Sequence, residues 1–331
     1  MENILFIGGG SWGGALSYSL AKKGISSTIW HRDQKIVSLM KESRIHYLIR
    51  DLIFPENVLF SNDISNAIET AKLIVLAIPS QSIRQIILTN KKYFSEDKIF
   101  VNVSKGIEND SLMTISNIIS DVLGSSYKKI VTLSGPSHAE EVIKLNPTTL
   151  VSSSNHIASA KNVQSVFSST FLRIYINKDI LGVELGGAIK NVIAIASGIC
   201  DGIGYGDNTK AALLTRGISE ITNLGIAMGA KSSTFQGLSG IGDLIVTALS
   251  KHSRNRMVGQ EIGKGKSLSL VLKEMDMVAE GVKSSISVNE LRKKYNTDMP
   301  ICESVYNILF NKKDPKLAVY ELMNRELKIE N

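Results

Sequence analysis

Three stretches of this 331-residue chain carry residue types at spacings that suit chemistry. The first is Gly8-x-Gly10-x-x-Gly13, within GGGSWGG and directly after the apolar run Ile4–Ile7. Each glycine answers a separate need of a strand–turn–helix unit. Gly8 allows the tight turn, Gly10 lets backbone approach a pyrophosphate, and Gly13 lets helix pack on strand. The helix start then presents N–H groups and a positive dipole end to phosphates. A dinucleotide is the expected ligand, with a chance glycine turn as the plain alternative. The following strand ends Trp30-His31-Arg32-Asp33. His31 stands where NAD-binding units carry an acidic residue for the ribose, and Arg32 suits the extra phosphate of NADP. This favours NADP and leaves NAD open.

The second stretch is GVELGGAIKNVIAIASG, in which Lys190 has Gly186 and Gly187 one turn before it and Ile193 and Ala194 one turn after. On a helix these positions form its own face. Desolvation there would lower its pKa toward a range useful for proton transfer, and the small flanking residues would leave room for a ligand. The alternative is a lysine snorkelling out of a buried helix. The third is GLSGIGDLIVTALSKHSRNRMVG, which brings Asp243 to a helix start and Ser253-Arg254-Asn255-Arg256 soon after. A guanidinium fork, an amide and a hydroxyl suit a phosphate, although an exposed basic turn would read the same way. Two shorter motifs follow predicted strands, Ser104-Lys105-Gly106 and GPSHAEEV at 135–142. Ligands of open parallel sheets sit at such carboxyl ends, which singles out Lys105. His138, at a helix start, reads first as a cap neighbour.

These groups need a scaffold, and the first half of the chain supplies the pattern for one. Candidate strands Ile4–Ile7, Thr28–Trp30, Leu73–Ile78, Ile99–Val103, Ile130–Leu133, Thr149–Val151 and Leu172–Ile176 alternate with helical patterns. The helical patterns are Gly14–Lys23, Gln34–Lys41, Gln81–Leu88 and Leu112–Leu123. That alternation predicts an α/β fold with a Rossmann-like, doubly wound, mostly parallel sheet. Beyond about Asp179 the strand signals stop, and helices are predicted at Ser267–Glu274 (capped by Ser267), Ser284–Lys294 and Ile301–Leu309. The expected division is a dinucleotide-binding domain, residues 1–178, and an all-α substrate domain, residues 179–331, with a cleft between them.

Composition narrows the class. With 43% hydrophobic and 21% charged residues the chain is an ordinary globular one. The net charge of +7 divides as +5 and +2 between the two halves, without the basic stripe a nucleic-acid binder would carry. Cys200 and Cys302 fit no metal-ligand spacing, and a reducing compartment is expected. The N-terminal apolar run is too short for a signal peptide, and Glu184, Lys190 and Asn191 interrupt the most apolar stretch. A soluble, cytoplasmic protein with no membrane span is the resulting expectation.

Taken together, the motifs resemble the bacterial type of NAD(P)-dependent glycerol-3-phosphate dehydrogenase, from residue 4 to about 310. Besides those above they include VSKGI at 103–107, VAEGV at 278–282 and MPI at 299–301. The resemblance implies that Ser11, Trp12, His31, Arg32, Tyr47, Ala139, Val278 and Glu280 line the cofactor, NADP or NAD. It implies that Lys105 and Arg254 serve both cofactor and substrate. Gly135, Ser137, Asp243, Ser253 and Asn255 would hold glycerol 3-phosphate or dihydroxyacetone phosphate, and Lys190 would accept the proton. The product would feed phospholipid synthesis, and a homodimer is one assembly open to the chain, whose oligomeric state the sequence does not reveal. Two residues depart from the family's pattern. Gly14 stands where threonine is usual, and Ile176 where threonine often precedes Asn177. The competing readings are a β-hydroxyacid or sugar-acid dehydrogenase of similar build, which has no need of the SRNR turn, and a non-catalytic dinucleotide-binding regulator, which has no need of a buried lysine.

Overall fold

The computed structural model describes residues 3–275, 278–327 and 329–330. Its sheet contains β1 (Ile4–Ile7), β2 (Ser27–Trp30), β3 (Val58–Ser61), β4 (Leu73–Leu76), β5 (Ile99–Asn102), β6 (Ile130–Ser134), β7 (Thr148–Ser153) and β8 (Leu172–Asn177). The spatial order is β3-β2-β1-β4-β5-β6-β7-β8. All neighbours run parallel except β6 and β7, which are antiparallel. Both faces are covered by helices. Ile4 and Phe6 therefore enter one core while Leu5 and Ile7 enter the other, which is why β1 is apolar at every position. β3 was not among the expected strands. It is a short edge strand just after Pro55, with Val58 and Phe60 buried and Leu59 exposed, so its apolar signal is half that of a central strand.

Helix limits moved where local backbone demanded it. The pattern over Leu112–Leu123 yields a helix only from Ile115, because Leu112 adopts a left-handed conformation, φ 59°. The pattern over Gln81–Leu88 divides into a tight turn at Ser80–Ser82 and a helix at Ile83–Thr89. Helices Ile64–Thr70 and Ile157–Phe167 were not expected. Ser267 does cap its helix, accepting the Leu270 N–H. Ile176 simply pairs with Ser152 across β7 and β8.

After β8 the described chain is helical, beginning with Ile180–Ile203. Asp179 starts this helix by accepting the Gly182 N–H at 3.0 Å, and Gly204, φ 95°, ends it. The helix is long and apolar enough to cross a membrane, but 94% of that window is buried inside the protein. Helix Arg254–Gly263 crosses it at backbone contact. A Cβ on Gly198 would lie 1.9 Å from the Arg256 carbonyl oxygen, and one on Gly259 would lie 2.0 Å from that of Ile195. Glycine on both sides lets the axes come this close, and the crossing carries Arg254 toward Lys190.

Candidate active site

At the end of β1 the three glycines do separate jobs. Gly8 has φ 109°, and a Cβ there would meet the Ala77 carbonyl oxygen at 2.4 Å. A Cβ on Gly13 would meet the Gly8 carbonyl oxygen at 2.5 Å, so helix Ser11–Lys22 can pack this closely only without a side chain. A Cβ on Gly10 would meet nothing within 4 Å. That opening is where a pyrophosphate would lie, over a helix start that no side chain caps. In the first turn of the same helix the Trp12 indole Nε1 is buried without a hydrogen-bond partner, and Ser11 is buried as well. An open glycine face and an indole donor still to be matched fit a dinucleotide.

The residues expected at the adenosine end lie just beyond β2. Asp33 is the one acidic residue in this loop, and it caps helix Gln34–Ser43 by accepting the Lys35 N–H at 2.8 Å. Its backbone N–H donates to His31 Nδ1 at 3.1 Å. The cap engages one oxygen of the Asp33 carboxylate, and Arg32 beside it is exposed. Tyr47 lies edge-on to His31, with centroids 5.4 Å apart. Burial lowers the pKa of His31 and raises that of Tyr47. Arg32→Ala should raise the KM for NADPH on the order of tenfold, the scale of one charge-assisted bond, and change that for NADH little. Steady-state assays with each cofactor test this, and equal effects would remove Arg32 from the phosphate.

The expected proton carrier, Lys190, lies where sheet and helices meet. Lys190 is 3% exposed, on the long helix Ile180–Ile203. Its ammonium donates to Asp243 Oδ1 and, at 2.6 Å, to Thr247 Oγ1. Asp243 Oδ2 accepts from Lys105 at 2.7 Å. Lys105, just beyond β5, also donates to the Gly135 carbonyl at 3.0 Å and Ser137 Oγ at 3.4 Å, just beyond β6. One buried carboxylate thus joins two lysines from different parts of the chain. Burial lowers the Lys190 pKa to about 7, with Lys105 adding to the effect and Asp243 opposing it. Burial works against the Asp243 carboxylate as well, but the two ammonium groups outweigh it and hold its pKa below the ordinary value.

The glycines before Lys190 do not leave ligand room, contrary to expectation. A Cβ on Gly186 would lie 2.6 Å from the Ser239 carbonyl oxygen, and one on Gly187 would lie 3.1 Å from Ser134 Oγ and 3.6 Å from Lys105 Cγ. Their smallness admits the Leu238–Gly242 turn and the Lys105 stem, and so brings Asp243 and Lys105 onto Lys190.

The SRNR residues divide their work. Ser253 caps helix Arg254–Gly263 through the Arg256 N–H at 3.2 Å. The Asn255 amide bonds Asn191 Oδ1 at 3.0 Å and accepts the Gly281 N–H at 2.9 Å. Arg256 pairs with Asp201 at 2.7 Å and points away from Lys190's group. Arg254 alone keeps its fork uncommitted to a carboxylate, with one long bond to the Val278 carbonyl at 3.4 Å. Val278 itself is exposed. Glu280 accepts from Ser80 Oγ at 2.8 Å, tying the start of helix Glu280–Lys294 to the turn after β4. Ala139 begins the short helix Ala139–Val142, which packs on helix Ser11–Lys22. His138 Nε2 contacts the Val246 carbonyl at 3.4 Å, in keeping with a satisfied cap neighbour.

Two participants escaped sequence reading. Thr247 lies four residues after Asp243, a helical spacing that signals a shared face. Glu184, fully buried, accepts from Thr132 Oγ1 at 2.9 Å, Ser116 Oγ at 2.6 Å and Asn102 Nδ2 at 3.2 Å. It pins helix Ile180–Ile203 to the sheet, and a carboxylate inside an apolar run was its only signal.

Comparison with known proteins matches nearly the whole chain. Residues 3–160 match the family NAD-dependent glycerol-3-phosphate dehydrogenase N-terminus, and residues 179–320 match its C-terminus. A protein of Clostridium botulinum (strain Eklund 17B / Type B) named glycerol-3-phosphate dehydrogenase (NAD(P)+) is 47% identical over 331 residues, 100% of this chain and 99% of its own. The protein of the same name from Pelodictyon phaeoclathratiforme is 46% identical, covering 99% of each chain. Among solved structures, glycerol-3-phosphate dehydrogenase from Coxiella burnetii superposes with a TM-score of 0.93 at 32% identity, over 98% of this chain and 99% of the other.

Proposed function

The chain belongs to the NAD-dependent glycerol-3-phosphate dehydrogenase family, and from that premise we propose that Lys190 is its general acid–base group and Arg254 its grip on the substrate phosphate. The enzyme interconverts dihydroxyacetone phosphate and sn-glycerol 3-phosphate with NADP or NAD. The observation that carries the assignment is the single buried carboxylate, Asp243, shared by Lys190 and Lys105.

Gly8, Gly10, Gly13, Ser11 and Trp12 would hold the pyrophosphate region, and Arg32, His31 and Tyr47 the adenosine end. Bound there, the nicotinamide supplies or accepts the hydride. Two of the three Lys190 N–H donors go to Asp243 and Thr247, which leaves one for the reacting oxygen. For ketone reduction Lys190 gives its proton to the developing alkoxide; for alcohol oxidation the neutral amine takes it. With a pKa near 7 both forms are populated at neutral pH. All three Lys105 donors have partners, so a substrate oxygen reaching Lys105 would displace the longest, to Ser137. Gly135, Ser137, Ser253 and Asn255 then shape the pocket wall.

Support for the phosphate grip is that Arg254 is half-buried beside Asn255, whose amide is bonded to the neighbour of Lys190. Arg254→Lys keeps the charge but loses the fork. It should cost about 1.5–3 kcal/mol in kcat/KM for dihydroxyacetone phosphate. Reduction of unphosphorylated dihydroxyacetone as fast as the ester would end the assignment. The overall test is oxidation of NADPH and NADH with dihydroxyacetone phosphate, followed spectrophotometrically. A role in phospholipid synthesis, a cytoplasmic location, a homodimeric assembly and a division into domains 1–178 and 179–331 complete the proposal.

A further inference from the structure

Gly14, the departure from the family's threonine, takes no part in the reaction. We propose that His46 is a positioning residue for the dinucleotide loop, and that position 14 is glycine to admit its imidazole ring. His46 lies between helix Gln34–Ser43 and β3 and is 1% exposed. Its Nδ1 accepts N–H bonds from Leu48 at 3.0 Å and Ile49 at 3.1 Å, so this nitrogen carries no proton. The ring proton is therefore on Nε2, which donates to the Gly9 carbonyl at 3.0 Å and lies 3.3 Å from that of Gly10.

The peptide geometry turns that contact into orientation. A trans peptide is planar, with C=O and N–H on opposite sides. Drawing the Gly9 carbonyl toward His46 aims the Gly10 N–H the other way, while the Gly10 carbonyl, held chiefly by the Gly14 N–H at 2.8 Å, directs the Ser11 N–H likewise. Those are the amides that border the open space over Gly10, where a Cβ would meet nothing within 4 Å. The ring fits only against a bare backbone, since a Cβ on Gly14 would lie 2.5 Å from His46 Cδ2 and 2.7 Å from Nε2. Tyr47 stacks on His46 at 5.0 Å and 17° and meets His31 edge-on at 5.4 Å, so the brace is continuous with the expected adenosine end.

Asparagine and glutamine split the two ring functions. In His46→Asn the amide oxygen can still accept the Leu48 and Ile49 N–H groups, as in an Asx turn, but nothing reaches Gly9. In His46→Gln the longer amide reaches the Gly9 carbonyl. NADPH affinity, measured by fluorescence titration without substrate, should weaken about five- to tenfold in His46→Asn and return to within about twofold in His46→Gln, as expected for one hydrogen bond. The KM for dihydroxyacetone phosphate should not change, although a merely structural defect would move it too. Gly14→Ala should weaken NADPH binding alone and cost nothing further in the His46→Asn background. Unchanged affinity in a folded His46→Asn protein, or a Gly14→Ala penalty that persists in the double variant, overturns the proposal. Should His46→Asn fail to fold, undiminished affinity in Gly14→Ala overturns it, and weakened affinity with an intact melting temperature supports it. The inference rests on Gly8–Gly13 being the cofactor site. Unaltered protein that binds neither NADPH nor NADH removes both ideas, whereas normal binding with unresponsive variants removes only the brace.

Discussion

Lys190→Met should lower the turnover number by about 10²–10⁴, the usual worth of general acid–base catalysis, while cofactor affinity stays near its original value. Methionine keeps most of the side-chain bulk, and Asp243 retains Lys105 as its partner at 2.7 Å, so the fold should persist. The pH profile gives a second check. Reduction needs the ammonium and should fall as pH rises through about 7, while oxidation needs the amine and should rise over the same range. Both limbs should vanish in the variant. Stability carries a third signature. The folded-state pKa lies below the unfolded one, so the buried ammonium destabilises the native protein in full below about pH 7, and that penalty is relieved as pH rises toward 10.5. The Met variant lacks the penalty. Its stability relative to the unaltered protein should therefore be greatest below pH 7 and decline above it. Near-normal turnover with both limbs intact would assign the proton to another group.

Asp243→Asn should be the most damaging change to the fold. It leaves two lysine ammonium groups, one of them buried, without their shared carboxylate, and losing one partner of a buried pair costs about 3–5 kcal/mol. Urea unfolding should detect that loss at neutral pH. Without the carboxylate's attraction the Lys190 pKa should fall further below 7, which moves the reduction limb toward acid and depletes the proton donor at neutral pH. A variant of ordinary stability with an unmoved pH profile would mean that Asp243 does not hold the lysines together.

Both effects depend on pairs that no local pattern contains. Lys105 and Asp243 are 138 residues apart and Lys190 and Asp243 are 53 apart. Lys190 was legible as a cation among apolar and glycine residues, yet its flanking glycines were misread. Their spacing alone does not say whether a ligand or the Ser239 backbone occupies the gap. Arg256 looked equivalent to Arg254 in SRNR, but the helix crossing sends it to Asp201. His46 carried no signal for its contact with Gly9, because that partner lies across the β1 turn while only Leu48 and Ile49 are local.

What the sequence determined by itself is whatever a few neighbouring residues can decide. Gly8 must accept a positive φ, Asp33 and Ser267 cap the helices they precede, and the apolar runs of β1, β4 and β5 require burial on both faces. These follow from backbone sterics, short hydrogen bonds and periodicity, all set within about one turn or one strand. The tertiary structure decided the antiparallel entry of β7, the edge strand β3, the Lys105–Asp243–Lys190 group and the brace behind Gly9. Each depends on which distant surface arrives at a given side chain. A buried charge or ring nitrogen has no defined protonation until that partner and the excluded water are fixed.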